Sequence, residues 1–114
     1  MVPELLDEFF ATGQRIKDLY KQKKEEASRV DIELSEFYHK VEAAKLDESI
    51  SYSLILELQS ILTRRRLIKY EVILLSATCD GLTNTIEIVK QNVETKKKKH
   101  VSIIKEIEDA GQKI

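Results

Sequence analysis

The stretch LILELQSILTRRRLIKYEVILLSATC, residues 54–79, decides the fold predicted for this chain. Its apolar residues recur every three or four positions, which is the period of one face of an α-helix. A single charged residue, Arg65, interrupts this face. The face comprises Leu54, Leu58, Ile61, Arg65, Ile68, Val72, Leu75 and Cys79. A seam of this kind predicts a long helix that packs along a second helix.

A seam with the same spacing lies in the first part of the chain. It comprises Leu5, Phe9, Thr12, Ile16, Leu19, Ala27, Val30, Leu34, Phe37, Val41 and Ala44. The polar segment KQKKEE, residues 21–26, interrupts it. We interpret the four-residue step from Lys23 to Ala27 as a stutter, which unwinds a coiled coil locally without ending the helix. Pro3 suits a helix start, so the first helix is expected at about residues 3–45.

A turn is predicted at KLDESIS, residues 45–51, where Asp47 or Ser49 can cap a second helix of about residues 49–79. The seam then continues in register as far as Ala110. Asp80 and Gly81 are a turn signal, and they and the poor helix formers after them cost a few kcal/mol within a helix. We therefore favour, narrowly, a third helix at about 83–111 over one continuous helix. Either way, the prediction is a single all-α domain, residues 1–114. It is a long antiparallel helical hairpin or a three-helix, coiled-coil-like bundle.

The overall composition narrows the class of protein. The chain has 114 residues, with 19 basic and 20 acidic side chains and a net charge of -1, whereas dedicated nucleic-acid binders are usually basic. The single cysteine excludes an intrachain disulfide. The acidic start does not resemble a signal peptide, and no run approaches 18 apolar residues. We expect a soluble protein of the cytoplasm that does not bind membranes.

The arginine run at residues 64–66 is the sharpest functional question. An antiparallel hairpin that turns near Asp47 places the acidic segment EEASRVDIE, residues 25–33, opposite it. An unpaired charge in a seam is costly, so we predict that Arg65 pairs with Glu26 or Glu33. The alternative is that Arg64, Arg65 and Arg66 form one exposed basic face for a polyanion or an acidic partner.

Several apolar residues of the second helix fall outside its seam. They are Ile55, Leu56, Leu62, Leu67, Ile73 and Leu74. A helix this apolar needs partners on more than one side. Either a third helix or another subunit must cover it, and we expect a homo-oligomer.

Other candidate contact residues are aromatic or basic. Phe10, Tyr20 and Tyr38 fall beside the first seam, where they can anchor a third helix or a partner. Lys96, Lys97, Lys98 and Lys99 occupy successive positions and point around the whole helix. They are therefore interpreted as a solvated run, with a weak electrostatic contact as the alternative.

No pattern of catalytic or metal-binding residues is present. His39 and His100 are the only histidines, and with one cysteine and no cluster of histidine and acidic residues at ligand spacing, a zinc site is not expected. Cys79 lies on the seam, where it is expected to be a small core residue. We predict no enzyme activity, no cofactor and no metal.

Residues 34–75 resemble part of a group of small helical proteins encoded by bacteriophages and prophages of Gram-positive bacteria. Two motifs carry the resemblance. The first is Leu34, Tyr38, His39 and Glu42 before the turn, and the second is Arg65, Arg66, Lys69 and Glu71 in the following helix. The resemblance implies a phage origin and a location in the host cytoplasm, but it assigns no role to any residue.

The function predicted from the sequence is non-enzymatic protein binding. By analogy with small phage proteins, the partner would be a host or defence protein that this chain inhibits or redirects. One alternative is a nucleic-acid-binding accessory protein that uses the clusters at residues 64–66 and 96–99. Another is a structural oligomer or scaffold.

Overall fold

The computed structural model describes residues 1–112, and these residues are almost entirely helical, with no strand. Helix α1 spans Val2–Ala43, α2 spans Glu48–Lys99 and α3 spans Val101–Gln112. The all-α prediction is therefore confirmed. Although a single domain was expected, the chain divides into two compact units, Met1–Cys79 and Asp80–Ile114, whose boundary lies within α2.

The first unit is an antiparallel hairpin of α1 and the first part of α2. Its core consists of Val30 and Phe37 from α1 and Leu54 and Ile61 from α2. Ile61 is the most deeply buried of these residues, with only 2% of its surface exposed. All four occupy seam positions predicted from the sequence. Other seam residues pack around them, namely Leu34, Val41, Ala44, Leu58 and Ile68.

The seam of α1 runs differently from the predicted one over its N-terminal half. Gly13 is buried and Tyr20 is partly buried, whereas Thr12 and Leu19 are exposed. With Gly13 and Tyr20 in the seam, Lys23 and Ala27 follow at regular spacings of three and four residues. The predicted stutter is therefore not needed, and α1 continues unbroken through KQKKEE.

The turn between the two helices forms where it was predicted. Ala44 has extended backbone angles, with φ −78° and ψ 141°, and this ends α1. The backbone N–H of Ile50 donates a hydrogen bond to Oδ1 of Asp47 at 2.7 Å. Asp47 thus supplies the N-terminal cap of α2, and Ser49 lies inside the first turn.

The helix break predicted at Gly81 is wrong, because α2 continues through this residue to Lys99. Gly81 does not adopt a positive φ, and the Thr85 hydroxyl donates a hydrogen bond to its carbonyl oxygen at 3.0 Å. Continuity keeps Cys79 and Ile86 on one face of the same helix, and both are buried. Their burial offsets the weak helix propensity of the intervening residues.

In the second unit, α2 and α3 are separated by a single residue, His100. Its backbone N–H donates to the carbonyl of Lys96, and its own carbonyl accepts from Ile104, both at 3.1 Å. The helical hydrogen-bond pattern therefore passes through the interruption. In α3, Val101, Ile103 and Ile107 are exposed.

Among residues 1–112, α2 is the one helix long and apolar enough to cross a membrane by length and composition. This differs from the expectation that no segment qualifies. Only 11% of its most apolar 18-residue window is buried. Length and composition do not distinguish a membrane span from a helix that packs against protein, so the absence of a membrane partner stays a prediction.

Candidate protein-interaction surface

Ion pairs between α1 and α2 engage two of the three consecutive arginines. Arg65 Nε donates to Asp31 Oδ1 at 2.7 Å, and Lys69 Nζ donates to the other oxygen of Asp31 at 3.0 Å. The guanidinium of Arg64 binds both carboxylate oxygens of Glu33, at 3.0 and 2.5 Å. All of these side chains are partly exposed.

The acid that binds Arg65 is not one of those predicted. The predicted hairpin placed residues 25–33 opposite Arg65, and the acid of this segment that meets Arg65 is Asp31 rather than Glu26 or Glu33. Glu33 is held by Arg64. Glu26 pairs instead with Lys23. The Lys23 Nζ lies 3.3 Å from Glu26 Oε2 and 3.0 Å from Oε2 of Glu71 in α2, so it bridges the two acids. The Arg65 side chain is 39% exposed, so it lies at the edge of the seam rather than inside it.

Apart from Glu4, whose pKa is lowered by its hydrogen bond from the N-terminal amine, the ionisable groups with shifted pKa values in the hairpin belong to these ion pairs. Hydrogen bonds from Arg65 and Lys69 lower the pKa of Asp31, and the hydrogen bonds from Arg64 lower the pKa of Glu33. Hydrogen bonds to Glu71 and Glu26 raise the pKa of Lys23. Each shift favours the charged form of its group. The shifts are therefore those expected of paired, charged side chains.

Arg66 differs from its two neighbours. It forms no ion pair or hydrogen bond with any residue in positions 1–112. Leu62 and Tyr70, four positions before and after it, lie on the same side of α2, and both are exposed. Arg66 is therefore an unpaired cation within an apolar surface.

That surface is the exposed side of α2, facing away from α1. We call it the outer face. All six apolar residues predicted to lie outside the seam are exposed, from Leu62 at 37% to Ile73 at 65%. Tyr52 and Tyr70 are also exposed. Within the first unit nothing covers the outer face. The residues of the outer face are Tyr52, Ile55, Leu56, Leu62, Leu67, Tyr70, Ile73 and Leu74.

A second apolar feature lies beside the turn. It is an open groove of about 250 Å³, which we call the turn groove. Phe37 and Leu54 are buried within it, whereas Tyr38, Leu46 and Ile55 are exposed at its rim. The complete lining is Phe37, Tyr38, Val41, Leu46, Ser51, Leu54, Ile55 and Leu58. None of these side chains is charged, and Ser51 and Tyr38 are the only polar ones.

The three aromatic residues singled out in the sequence have different surroundings. Tyr38 is 50% exposed at the rim of the turn groove, and its ring packs edge-on against Phe37 at 6.2 Å between centroids. Tyr20 is partly buried in the seam, with Lys24 Nζ 4.3 Å from its ring centroid. Phe10 is partly buried and packs near Phe9. Of the three, Tyr38 lies on a candidate interaction surface.

The lysine run lies in the second unit at the end of α2. Lys96 and Lys97 line a shallow hollow of about 380 Å³ with His100, Asn92, Val93 and Ile104. Lys98 and Lys99 are exposed and do not line it. The four lysines are consecutive residues of an α-helix, so their side chains point in different directions around it, and two of them border the hollow.

The described part of the chain contains no group of three or more histidine, cysteine or acidic residues that could hold a metal ion. Cys79 is buried with a free thiol, as expected of a core residue. No protein-family model, curated protein or solved structure matches this chain. The resemblance of residues 34–75 to phage proteins therefore stays a prediction.

Proposed function

We propose that this chain is a non-enzymatic protein-interaction module whose turn groove receives an apolar side chain of a partner protein. The observation that carries the proposal is the groove itself, a concave apolar site with an exposed rim. Three rim residues, Tyr38, Leu46 and Ile55, are each half or more exposed. Exposed apolar residues grouped around a concavity are typical of protein-binding sites.

Core packing and a helix cap hold the groove in place. Phe37 and Leu54 belong to the buried core of the hairpin, so the floor of the groove is part of the most tightly packed region. Asp47, which follows the rim residue Leu46, caps the start of α2 by accepting a hydrogen bond from the backbone N–H of Ile50. A site held by core packing and a helix cap loses little conformational freedom when a partner binds, which favours affinity.

The surroundings of the groove indicate the chemistry of the partner. Its lining carries no charge, so it fits an aliphatic or aromatic anchor. Asp47 and Glu48 line the neighbouring hollow beside Tyr52. A partner with a basic residue next to its apolar anchor would complement both features, since complementary charge favours association.

The ion pairs favour a protein over a polyanion as the partner. Asp31 and Glu33 engage Arg65 and Arg64, which leaves only Arg66 of the cluster without a carboxylate. The hollow beside Lys96, Lys97 and His100 is the feature that favours the nucleic-acid alternative. We expect binding to duplex or single strands to be weak at physiological salt and to decrease steeply as salt rises. Sub-micromolar binding of nucleic acid at physiological salt that is lost in Arg66→Ala would instead favour nucleic acid over a protein as the partner.

A lipid bilayer is the other surface that could cover exposed apolar side chains. The outer face lies on the same stretch of helix as Glu57, Glu71 and residues 64–66, which are charged. Each charge drawn into hydrocarbon costs about 2.5–3.5 kcal/mol or more. This supports a protein partner for the outer face. The resemblance of residues 34–75 to phage proteins supports a host or defence protein as that partner, whose surface this chain would occupy.

The test is affinity capture from the host with the tagged full-length protein, read by mass spectrometry. Wild type should retain one protein in near-stoichiometric amount. Tyr38→Ala and Leu46→Ser should lose it, because each removes an exposed side chain of the rim and leaves the buried residues of the core in place. Ile32→Ser is the matched control, since Ile32 is 58% exposed on α1 and lies outside the groove. Equal capture by the rim variants and the control would contradict the proposal.

A further inference from the structure

We infer that the outer face of α2 is the contact surface of a parallel dimer of two copies of this chain. A second heptad series runs along this face, on the opposite side of α2 from the seam that packs against α1. Its members are spaced 4-3-4-3-4-3 and are Leu56, Ser60, Thr63, Leu67, Tyr70, Leu74 and Ala77. Apolar or small residues at this spacing form the contact line of helices that pack in pairs.

The outer face is large enough for a stable dimer. Eight large apolar or aromatic side chains are exposed on it, and several are more than half exposed, such as Leu67 at 59%. Ile55 and Leu62 lie on the flank of α2 away from the contact series, so six of the eight side chains border it. At roughly 100 Å² for each, these six present on the order of 600 Å² per copy, and the smaller contact residues Ser60, Thr63 and Ala77 bring the buried area toward the roughly 800 Å² that each partner buries in an interface of standard size. A monomer would leave this whole area in water.

The charges at the edges of the face favour a second copy and a parallel arrangement. In a parallel coiled coil, a residue at heptad position g of one helix lies near the e residue five positions later in the other helix. Here Arg66 occupies a g position, just before the contact residue Leu67, and Glu71 occupies the e position that follows Tyr70. Arg66, which has no ion pair within residues 1–112, would then approach Glu71 of the partner subunit, and symmetry would repeat this pair. Glu71 is 33% exposed beside Lys23 and has room for a second cation.

The antiparallel alternative is less favourable electrostatically. In an antiparallel pair centred on the same series, Arg64 of one copy would lie near Arg64 of the other. Glu57 of one copy would lie near Glu71 of the other. Like charges at such edges weaken association. It would also leave Arg66 without an acid. The parallel dimer places both turn grooves at the same end. Ile55 belongs to both the outer face and the groove rim, but it lies on the flank of α2 away from the contact series, and Tyr38 and Leu46 are not part of α2. The grooves therefore stay open, and the dimer does not depend on the proposed partner site.

Light scattering coupled to size-exclusion chromatography tests the dimer at micromolar concentration. Wild type should show twice the 13.2 kDa mass of the single chain. Leu67→Glu combined with Leu74→Glu should halve that mass while leaving the helical circular dichroism unchanged, because both residues are exposed. Ile32→Glu, at an equally exposed position on α1, should remain dimeric. Arg66→Glu should weaken the dimer several-fold, whereas Arg66→Lys should keep it.

Disulfide trapping tests the direction of packing without relying on these variants. In a Cys79→Ala background, Ser60→Cys should form a disulfide-linked dimer under mild oxidation, because identical positions of parallel helices come within disulfide reach. Ile32→Cys in the same background should not. A Ser60→Cys variant that fails to cross-link while the protein is dimeric would contradict the parallel arrangement.

Two results would overturn the inference altogether. One is a wild-type protein that is monomeric at these concentrations. If the outer-face variants of that monomer then also lost the captured partner, the outer face would be a binding surface for another protein. The other is a dimer that persists in Leu67→Glu/Leu74→Glu. Neither result bears on the turn groove, since Tyr38 and Leu46 lie outside the outer face.

Discussion

Asp31 and Arg65 are 34 positions apart in the chain and are joined by a 2.7 Å hydrogen bond between the carboxylate and guanidinium Nε. The second oxygen of Asp31 accepts from Lys69 at 3.0 Å. One carboxylate on α1 therefore holds two successive turns of α2. A slip of the hairpin by one turn would break both bonds, so this pair of contacts specifies the register of the two helices.

The Asp31 contacts make the stability of the hairpin depend on pH. The pKa of Asp31 is lowered from 3.8 and that of Glu33 from 4.5. A lowered pKa in the folded state adds stability above the unfolded value and loses it as pH falls through the folded value. We expect urea unfolding to show full stability at neutral pH and a decrease below about pH 4.5.

Asp31→Asn should remove part of that acid-dependent decrease and lower stability at neutral pH. Glu36→Gln is the control, because Glu36 is exposed and forms no ion pair within residues 1–112. If the two variants respond identically to acid, the Asp31 contacts do not contribute to stability in solution.

The three arginines should differ in their effect on thermal stability. Arg65→Ala should lower the Tm most, by a few degrees, since it removes a partly buried side chain as well as an ion pair. Arg64→Ala should lower it less and Arg66→Ala least. Arg65→Leu should be tolerated better than Arg65→Ala, because leucine retains the apolar contact. Dilute samples followed by circular dichroism separate these effects from self-association. Three identical melting curves would refute this ranking.

Ile61→Ala should destabilise the hairpin strongly. Ile61 is 2% exposed at the centre of the core, and truncation of a buried isoleucine to alanine costs about 2–5 kcal/mol. Ile32→Ala, at an exposed position, should cost far less. Denaturant unfolding monitored by circular dichroism measures both. A loss at Ile61 no larger than that at Ile32 would contradict the assigned core.

Gly81→Ala should stabilise the protein by about 0.5–1 kcal/mol, the usual difference between the two residues within a helix. Gly81 is exposed within α2 and has no positive φ, and a Cβ added there would meet nothing within 4 Å. The midpoint of thermal unfolding reports the change. If α2 instead breaks at this residue in solution, the substitution will be neutral or destabilising.

The sequence by itself determined the helical class, the hairpin turn and most of the core. The period of residues such as Leu54 and Ile61 is a property of local chain geometry, and the cap by Asp47 depends on residues three positions away. The apolar residues outside the seam, such as Leu67 and Ile73, could also be identified from sequence, because a helix seam has a limited width.

Only the tertiary structure decided which side chains meet across the hairpin and whether α2 continues. Asp31, Glu26 and Glu33 lie within two turns of one another, and a shift of two residues between the helices changes the partner of Arg65. Long side chains reach across such a shift, so periodicity cannot select among them. At Gly81, weak local propensity competed with burial of Cys79 and Ile86 on one helix face. The seam register, which continues through residue 81, favoured one helix against this local signal, and only the structure shows that it prevailed.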